Sequence, residues 1–389
     1  MDHIKNNIEK YHEAMIAERR HIHSHPELSG NEYGTSAYIQ EELGKAGIPF
    51  ELVPPGRSVV AVIRGEYPGK TILLRSDIDA LPVTEATGLP FSSEVPGAMH
   101  ACGHDAHAAI GITVAKVLND LRSRLHGTAK VVFQEAEETG SGAKHVLESG
   151  LIDDADNSLM LHVDVTHPTG FFATNYGVRS AKTAVSKVVV QGRGGHSAFP
   201  QNAVNPIPIA ARIIEAVSEI TAYEIAREDF AVISPTVVAG GTKNNIIPQS
   251  CEIIFNARYY DSRFDEVIPE LISKKSKNIA ASAGGAAETS YSSHGIPMIN
   301  DEDSVKRALS VIERIWGKDK IDLTPPGLFG DDFAYIQEKV PGAAVNIGAA
   351  LEGNTAALHS PTMMVDEACM DIAARFATEY IAEYLEYAE

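Results

Sequence analysis

The chain is poor in sulfur and in tryptophan, with three cysteines and one tryptophan among 389 residues. Cys102, Cys251 and Cys369 lie far apart and are odd in number, which excludes a scaffold built on disulfides. No apolar run approaches the roughly 20 residues of a membrane span. The start, Met1-Asp2-His3-Ile4-Lys5, lacks the apolar core of a secretion signal, so the expectation is a cytoplasmic protein with no membrane partner. Positive charge is also scarce. The net charge of −19 is spread along the chain rather than gathered in a tail, which argues against nucleic acid as a partner. Repeats and low-complexity segments are missing as well.

What remains is an ordinary globular composition, 44% apolar and 22% charged, in a chain longer than one core usually supports. In the first third, apolar strand-like runs at 58–64, 70–75, 128–133 and 158–163 alternate with helical spacing at 106–125 and a short helix at 141–148. That alternation predicts a mostly parallel sheet flanked by helices. The middle reads strand 184–191, helix 205–223, strands 230–239 and 251–260, helix 264–283 and strand 288–292. This β-α-β-β-α-β order is ferredoxin-like. The α/β pattern then resumes, with a helix at 303–316, a strand at 343–347 and a closing helix from 366. The fold class expected is therefore α/β, with a smaller α+β domain at 181–293 inserted between segments 1–180 and 294–389.

The densest chemistry lies in Met99-His100-Ala101-Cys102-Gly103-His104-Asp105-Ala106-His107. One thiol, three imidazoles and a carboxylate within nine residues suit a borderline divalent ion such as zinc. Cys102 and His104 sit two apart in a Gly-containing loop that enters a helix, so both can converge on one ion. Spacing leaves His100 and His107 open as further ligands. Asp77 and Asp79 end one strand and Glu137-Glu138 follow another, at the edge where open α/β sheets put their sites. Adjacent buried carboxylates repel unless a cation neutralises them, and one of the pair can hold the ion while the other moves a proton. Spacing does not say which. His162 ends a strand and His359 precedes the last helix; each alone reads as structural, and only together do they read as ligands. Gly192-Arg193-Gly194-Gly195-His196-Ser197 falls short of a nucleotide-binding glycine loop, and no G-x-S-x-G elbow is present. Cys102 is expected to be a solvent-reachable thiolate when no metal is bound, hence more easily oxidised than Cys251 or Cys369.

Three further stretches extend the pattern: His21-Ile22-His23-Ser24-His25-Pro26-Glu27-Leu28-Ser29, Arg75-Ser76-Asp77-Ile78-Asp79-Ala80-Leu81-Pro82 and His359-Ser360-Pro361. In this order the motifs resemble the aminoacylase and carboxypeptidase family of dinuclear metallohydrolases, in its amidohydrolase branch of hippurate hydrolases, N-acetyl-amino-acid deacetylases and indoleacetyl-amino-acid hydrolases. The resemblance implies a metallopeptidase-type catalytic domain with an inserted lid and dimerisation domain, two divalent ions per subunit (zinc, manganese, nickel or cobalt), and a homodimer or homotetramer. It implies that Cys102 bridges the ions, with His104, Glu138, His162 and His359 as the other ligands. Glu137 is then the base acting on a metal-bridging water, and Asp79 orients the site. His196 becomes a mobile-domain oxyanion donor that reaches a partner subunit's site, and Asn245 and Arg258 contact the substrate carboxylate. The activity implied is hydrolysis of the N-acyl bond of a small N-acyl amino acid. A dipeptidase or carboxypeptidase with the same site, or a catalytically idle metal-binding protein, are the alternatives. Glu135 stands where proline is usual, Gln201 where histidine is, Asn205 where aspartate is, and Asp331 shortens the usual side chain before Asp332-Phe333. These departures are expected to bear on substrate preference.

Overall fold

The computed structural model describes residues 2–387. Close packing divides the chain into two compact units: residues up to Arg179 with Ile299–Pro325 and everything from Asp331 onward, and Ser180–Met298 with Pro326–Gly330.

The larger unit is built on β1 (Phe50–Val53), β2 (Ser58–Arg64), β3 (Tyr67–Asp77), β4 (His126–Gln134), β5 (Asn157–Pro168) and β6 (Phe172–Thr174). With strands Gly342–Ala350 and Ile321–Leu323 they form one sheet, in the order β1, β2, β4, β3, β5, Gly342–Ala350, β6, Ile321–Leu323. Its centre is parallel: β3 runs with β4 and β5, and β5 runs with Gly342–Ala350. These central strands are buried on both faces, which is why they read as continuous apolar runs rather than as alternation. The register pairs Asp77 with Gln134, so the chain leaves both strands at the same level. That level is the carboxyl edge of the sheet.

Helices α1 (Asp2–Ser24), α2 (Tyr33–Lys45) and α3 (His104–Asp120) precede or follow these strands. Neither α1 nor α2 is anticipated by the sequence reading. In α1 the buried Ile4, Ile8, Met15 and Ile22 recur at helical spacing, but charged residues between them hide the stripe. Helix α3 is buried from His104 through Leu118, and four small alanines let it lie close to the sheet.

The second unit has a four-stranded antiparallel sheet in the order Ala231–Ala239, Ser250–Tyr259, Lys182–Gln191, Ala286–His294. Helices Pro206–Ser218 and Phe264–Ser282 bury Ile209, Ile213, Ile268 and Ile272 against Val188, Ile253 and Phe255 of that sheet. The expected helix at 205–223 is broken at Glu219, after which a separate turn of helix, Ile220–Tyr223, begins. Asn205, one of the residues expected to tune specificity, instead caps this helix by accepting the Ile207 N–H at 3.1 Å.

One buried pairing fastens α1 to α3 and to the loop before it. His23 lies 2.8 Å from Asp105 and 3.2 Å from Glu85. Burial opposes charge on this ring, but the two carboxylates outweigh it and raise His23 to about 9. Because the folded protein holds this proton more tightly than the unfolded chain, the associated stability is fully present below pH about 6.5 and is lost as pH rises through about 9. At 1.36 kcal/mol per unit this is on the order of 3 kcal/mol. The melting-temperature gap between wild type and His23→Gln should be widest at pH 6 and should shrink by pH 10. A gap independent of pH would contradict the assignment.

Candidate metal centre

The carboxyl edge gathers side chains from four places in the chain. Cys102 and His104 flank Gly103, whose φ of 86° is left-handed and whose missing Cβ would stand 2.4 Å from Val163 Cγ2. Glycine is required there on both counts. Glu137 and Glu138 follow β4, His162 lies within β5, and His359 sits in the loop after Gly342–Ala350 with a φ of 67°.

Two groups of donor atoms share one sulfur. Cys102, His104 and His162 offer ligand atoms within 4.8 Å of one another, and so do Cys102, Glu138 and His359. His162 Nε2 is 3.5 Å from Cys102 Sγ, and His359 Nε2 is 3.4 Å from Glu138 Oε1. A third group, His104, Glu137 and Glu138, adds the second glutamate beside the first two.

The hydrogen bonds behind these atoms free the right lone pairs. His104 Nδ1 donates toward the Asp79 carbonyl and Asp79 Oδ1, both at 3.0 Å, which leaves Nε2 as the lone-pair nitrogen. That Nε2 is buried with no hydrogen-bond partner, and so is Glu138 Oε1, 3.9 Å away. His162 Nδ1 donates to the Val163 carbonyl at 2.8 Å, again leaving Nε2 free to ligate. Buried polar atoms without partners are costly, and a cation between them removes the cost. The charge balance points the same way. Burial disfavours charge on His104, yet the Asp77 and Asp79 carboxylates hold its pKa well above the usual value, so this place in the protein favours a positive charge. A soft-to-borderline divalent ion fits a set of one thiolate, three imidazoles and a carboxylate.

Asp79 ties the site together. Its Oδ2 accepts the Glu138 N–H at 3.0 Å and the Ser29 hydroxyl at 2.7 Å, while its Oδ1 faces His104. Asp77 has different work. It takes His107 Nδ1 at 2.6 Å and Arg75 Nη1 at 2.5 Å. His107 Nε2 already accepts the Val163 N–H at 2.9 Å, so this ring has no lone pair to offer an ion. His100 belongs to no donor group among the described residues, although it is buried with both ring nitrogens unpartnered.

Arg75, wholly buried, meets Asp77, Asp331 and Asp332, the last two at 3.1 and 2.9 Å. Glu137 lies with Asp331 and Asp332 in one carboxylate group, and burial together with those two acids raises its pKa well above the usual carboxylate range. A carboxyl so placed is suited to taking a proton near neutral pH. Neither the Arg75 hub nor Ser29 emerges from sequence reading. The available signal was an arginine at the inner end of an otherwise apolar strand.

Two expectations need correction. Cys102 is not solvent-reachable: its residue is 7% exposed, and burial pushes the thiol up to about 12, so without a bound ion it is a protonated, protected sulfur. Glu135 is not a specificity residue in any direct sense, since it is fully buried and pairs with Arg57 and with His145 at 2.8 Å.

His196, Asn245 and Arg258 belong to the second unit. His196 pairs with Ile246 in a two-stranded ribbon, and the Asn245 carbonyl accepts the Ser197 N–H at 3.1 Å, so these two residues are neighbours. Arg258 lies on Ser250–Tyr259 and donates from Nη1 to the Leu328 carbonyl.

Residues 73–383 match the model of the peptidase family M20/M25/M40. The N-acetylcysteine deacetylase of Bacillus subtilis (strain 168) is 34% identical over 377 residues, covering 97% of this chain and 98% of that relative. Thermostable carboxypeptidase 1 of Saccharolobus solfataricus is 34% identical over 380 residues, covering 96% of each. The crystal structure of the Bacillus subtilis YXEP protein, described as a dinuclear metal-binding peptidase of the M20 family, superposes with a TM-score of 0.85 at 32% identity, over 98% of this chain and 100% of that one. The chain belongs to the M20/M25/M40 peptidase family and is by class a metal-dependent amide hydrolase.

The shared sulfur yields a stoichiometric test. Elemental analysis of zinc-reconstituted protein should find about two ions in wild type, about one in His359→Ala and close to none in Cys102→Ala, because only the thiolate serves both groups. Two retained ions in Cys102→Ala would contradict the shared-sulfur geometry.

Proposed function

We propose that this protein cleaves the N-acyl bond of small N-acyl amino acids, releasing a carboxylic acid and a free amino acid. The observation that carries the reading is the pair of donor groups meeting at Cys102, with Glu137 beside them and in neither. The likeness to a deacetylase over almost the whole of both chains supports it.

Bound at Cys102, His104, Glu138, His162 and His359, two divalent ions would polarise the amide carbonyl and lower the pKa of water. The remaining work falls to the chain's own groups. Glu137 takes a proton from the attacking water as oxygen adds to the carbonyl carbon. It returns that proton to the amine nitrogen as the C–N bond breaks. Asp79 keeps His104 in the Nδ1-protonated form and fixes the Glu138 backbone. His196 donates to the oxyanion, and Asn245 and Arg258 receive the substrate carboxylate. Leu328 occupies one guanidinium nitrogen of Arg258, and the remaining N–H groups are available to a carboxylate.

The second unit serves in this reading as lid and dimerisation domain of a homodimer or homotetramer. Its edge strand Ala231–Ala239 leaves Val232, Val237 and Val238 exposed, an apolar edge of the kind that strand pairing covers. A cytoplasmic location suits three cysteines that are all free, one of them a proposed ligand that must stay reduced. No helix among the described residues is long and apolar enough to cross a membrane.

Glu137→Gln should lower kcat by about a thousandfold or more on N-acetyl amino acids while leaving the ion content at the wild-type level. Unchanged turnover would overturn the base assignment, whereas a wild-type protein that holds its ions and turns over no substrate would favour an idle metal-binding protein. The equal likeness to a carboxypeptidase sustains a second reading, in which the same site cuts peptides. A panel of N-acetyl amino acids, N-benzoyl amino acids and unblocked dipeptides separates the two. Turnover of the dipeptides alone would refute the amidohydrolase.

A further inference from the structure

Ala136 immediately precedes the glutamate pair, and its φ of 51° is left-handed. Among the described residues only His359 and Glu386 share that distinction without being glycine. An alanine in this region suffers a clash between Cβ and its own backbone, and it stays there only when its surroundings hold it. The reward is direction. The left-handed residue turns the chain sharply as it leaves β4, so that the next two side chains enter the metal centre.

Both peptide groups of Ala136 are gripped. Its N–H donates to Glu32 Oε1 at 2.7 Å, and the same oxygen accepts the Gly30 N–H at 2.9 Å. Its carbonyl accepts the Ser141 and Gly142 N–H groups, each at 3.3 Å. Glu32 is fully buried, with Arg57 Nε 3.6 Å from its Oε2. Arg57 also pairs with Glu135, the residue on the other side of Ala136. Ser58 Oγ accepts the Glu135 N–H at 3.0 Å, and His145 holds the Glu135 carboxylate. Glu32 and Glu135 belong to none of the donor groups, so this buried charge is not explained by ligation. The same turn of chain supplies Ser29 to Asp79.

We propose that Glu32 is a positioning residue: its carboxylate holds Ala136 left-handed and so sets the direction in which Glu137 and Glu138 leave β4. The Arg57 and Glu135 side chains keep that carboxylate in place. This rests on the proposed roles of Glu137 and Glu138. Glu32 touches neither substrate nor ion, and it acts on the reaction only through the backbone.

A cycle of variants in the reconstituted enzyme tests it. Glu32→Ala should lower kcat by about tenfold or more with KM changed less than about twofold, since misdirection of the base affects the chemical step. Glu32→Gln keeps the accepting oxygen and should retain most of the rate. Ala136→Gly should be nearly silent alone, and in the Glu32→Ala background it should restore kcat to within about threefold of wild type, because glycine needs no clamp to turn left-handed. A merely structural role predicts the opposite for the double variant, which would be less stable and no faster. Wild-type kcat in Glu32→Ala, or a double variant no better than the single one, would overturn the proposal. If Glu32→Ala does not fold alone, it is expected to fold and turn over with Ala136→Gly, and failure there also overturns it. Should no N-acyl amino acid be hydrolysed, the function reading fails first, and the cycle is read on zinc affinity. Glu32→Ala should then weaken the ion that Glu138 helps to hold, and Ala136→Gly should restore it.

Discussion

A single sulfur atom, that of Cys102, belongs to two groups of side chains that could hold an ion, one with His104 and His162 and one with Glu138 and His359. For both sets to close, β3 and β4 must end level beside the part of β5 that carries His162, a helix must begin within van der Waals distance of Val163, and a loop more than 250 residues further on must return His359 in a left-handed conformation. The parallel register supplies the first condition and Gly103 the second. The sheet is therefore the jig of the site. The extensive burial of α3 makes the jig stiff, because a helix packed on every side has little room to shift.

The second constraint is charge. Carboxylates of Asp77, Asp79, Glu137, Glu138, Asp331 and Asp332 stand close together at the sheet edge, and burial separates them from water. Such an assembly is tolerable only where positive charge is built in. Arg75 supplies it for Asp77, Asp331 and Asp332, and Arg57 for Glu32 and Glu135. Among the described residues, Glu138 and Asp79 make no ion pair with an arginine. A cation held among the donor groups would balance them, and the raised pKa of His104 shows the same demand for positive charge.

The parts of this arrangement that could be read from the chain are those whose information is local. Cys102, Gly103 and His104 announce themselves by density, and Glu137-Glu138 by two acids after an apolar strand. The parallel sheet and its inserted α+β unit follow from periodicity. His162 and His359 carry a weak local signal: each alone reads as structural, and they read as ligands only together and through the resemblance of the whole motif order. The Arg75 hub was hidden because its partners lie 256 and 257 residues away. Glu32 was hidden because a backbone angle is not written in side-chain type, and alanine at 136 gives no hint of a left-handed turn. The cysteine departs from expectation for a related reason: its neighbours suggest reactivity, whereas its burial, a property of the fold, suppresses it.

The central claim is that one thiolate joins two ions. Anomalous diffraction from crystals of the zinc-loaded protein tests it most directly. Two peaks about 3.5–4 Å apart, each within bonding distance of Cys102 Sγ, are the predicted result. A single fully occupied peak, or two peaks of which one lies away from the sulfur, would contradict it.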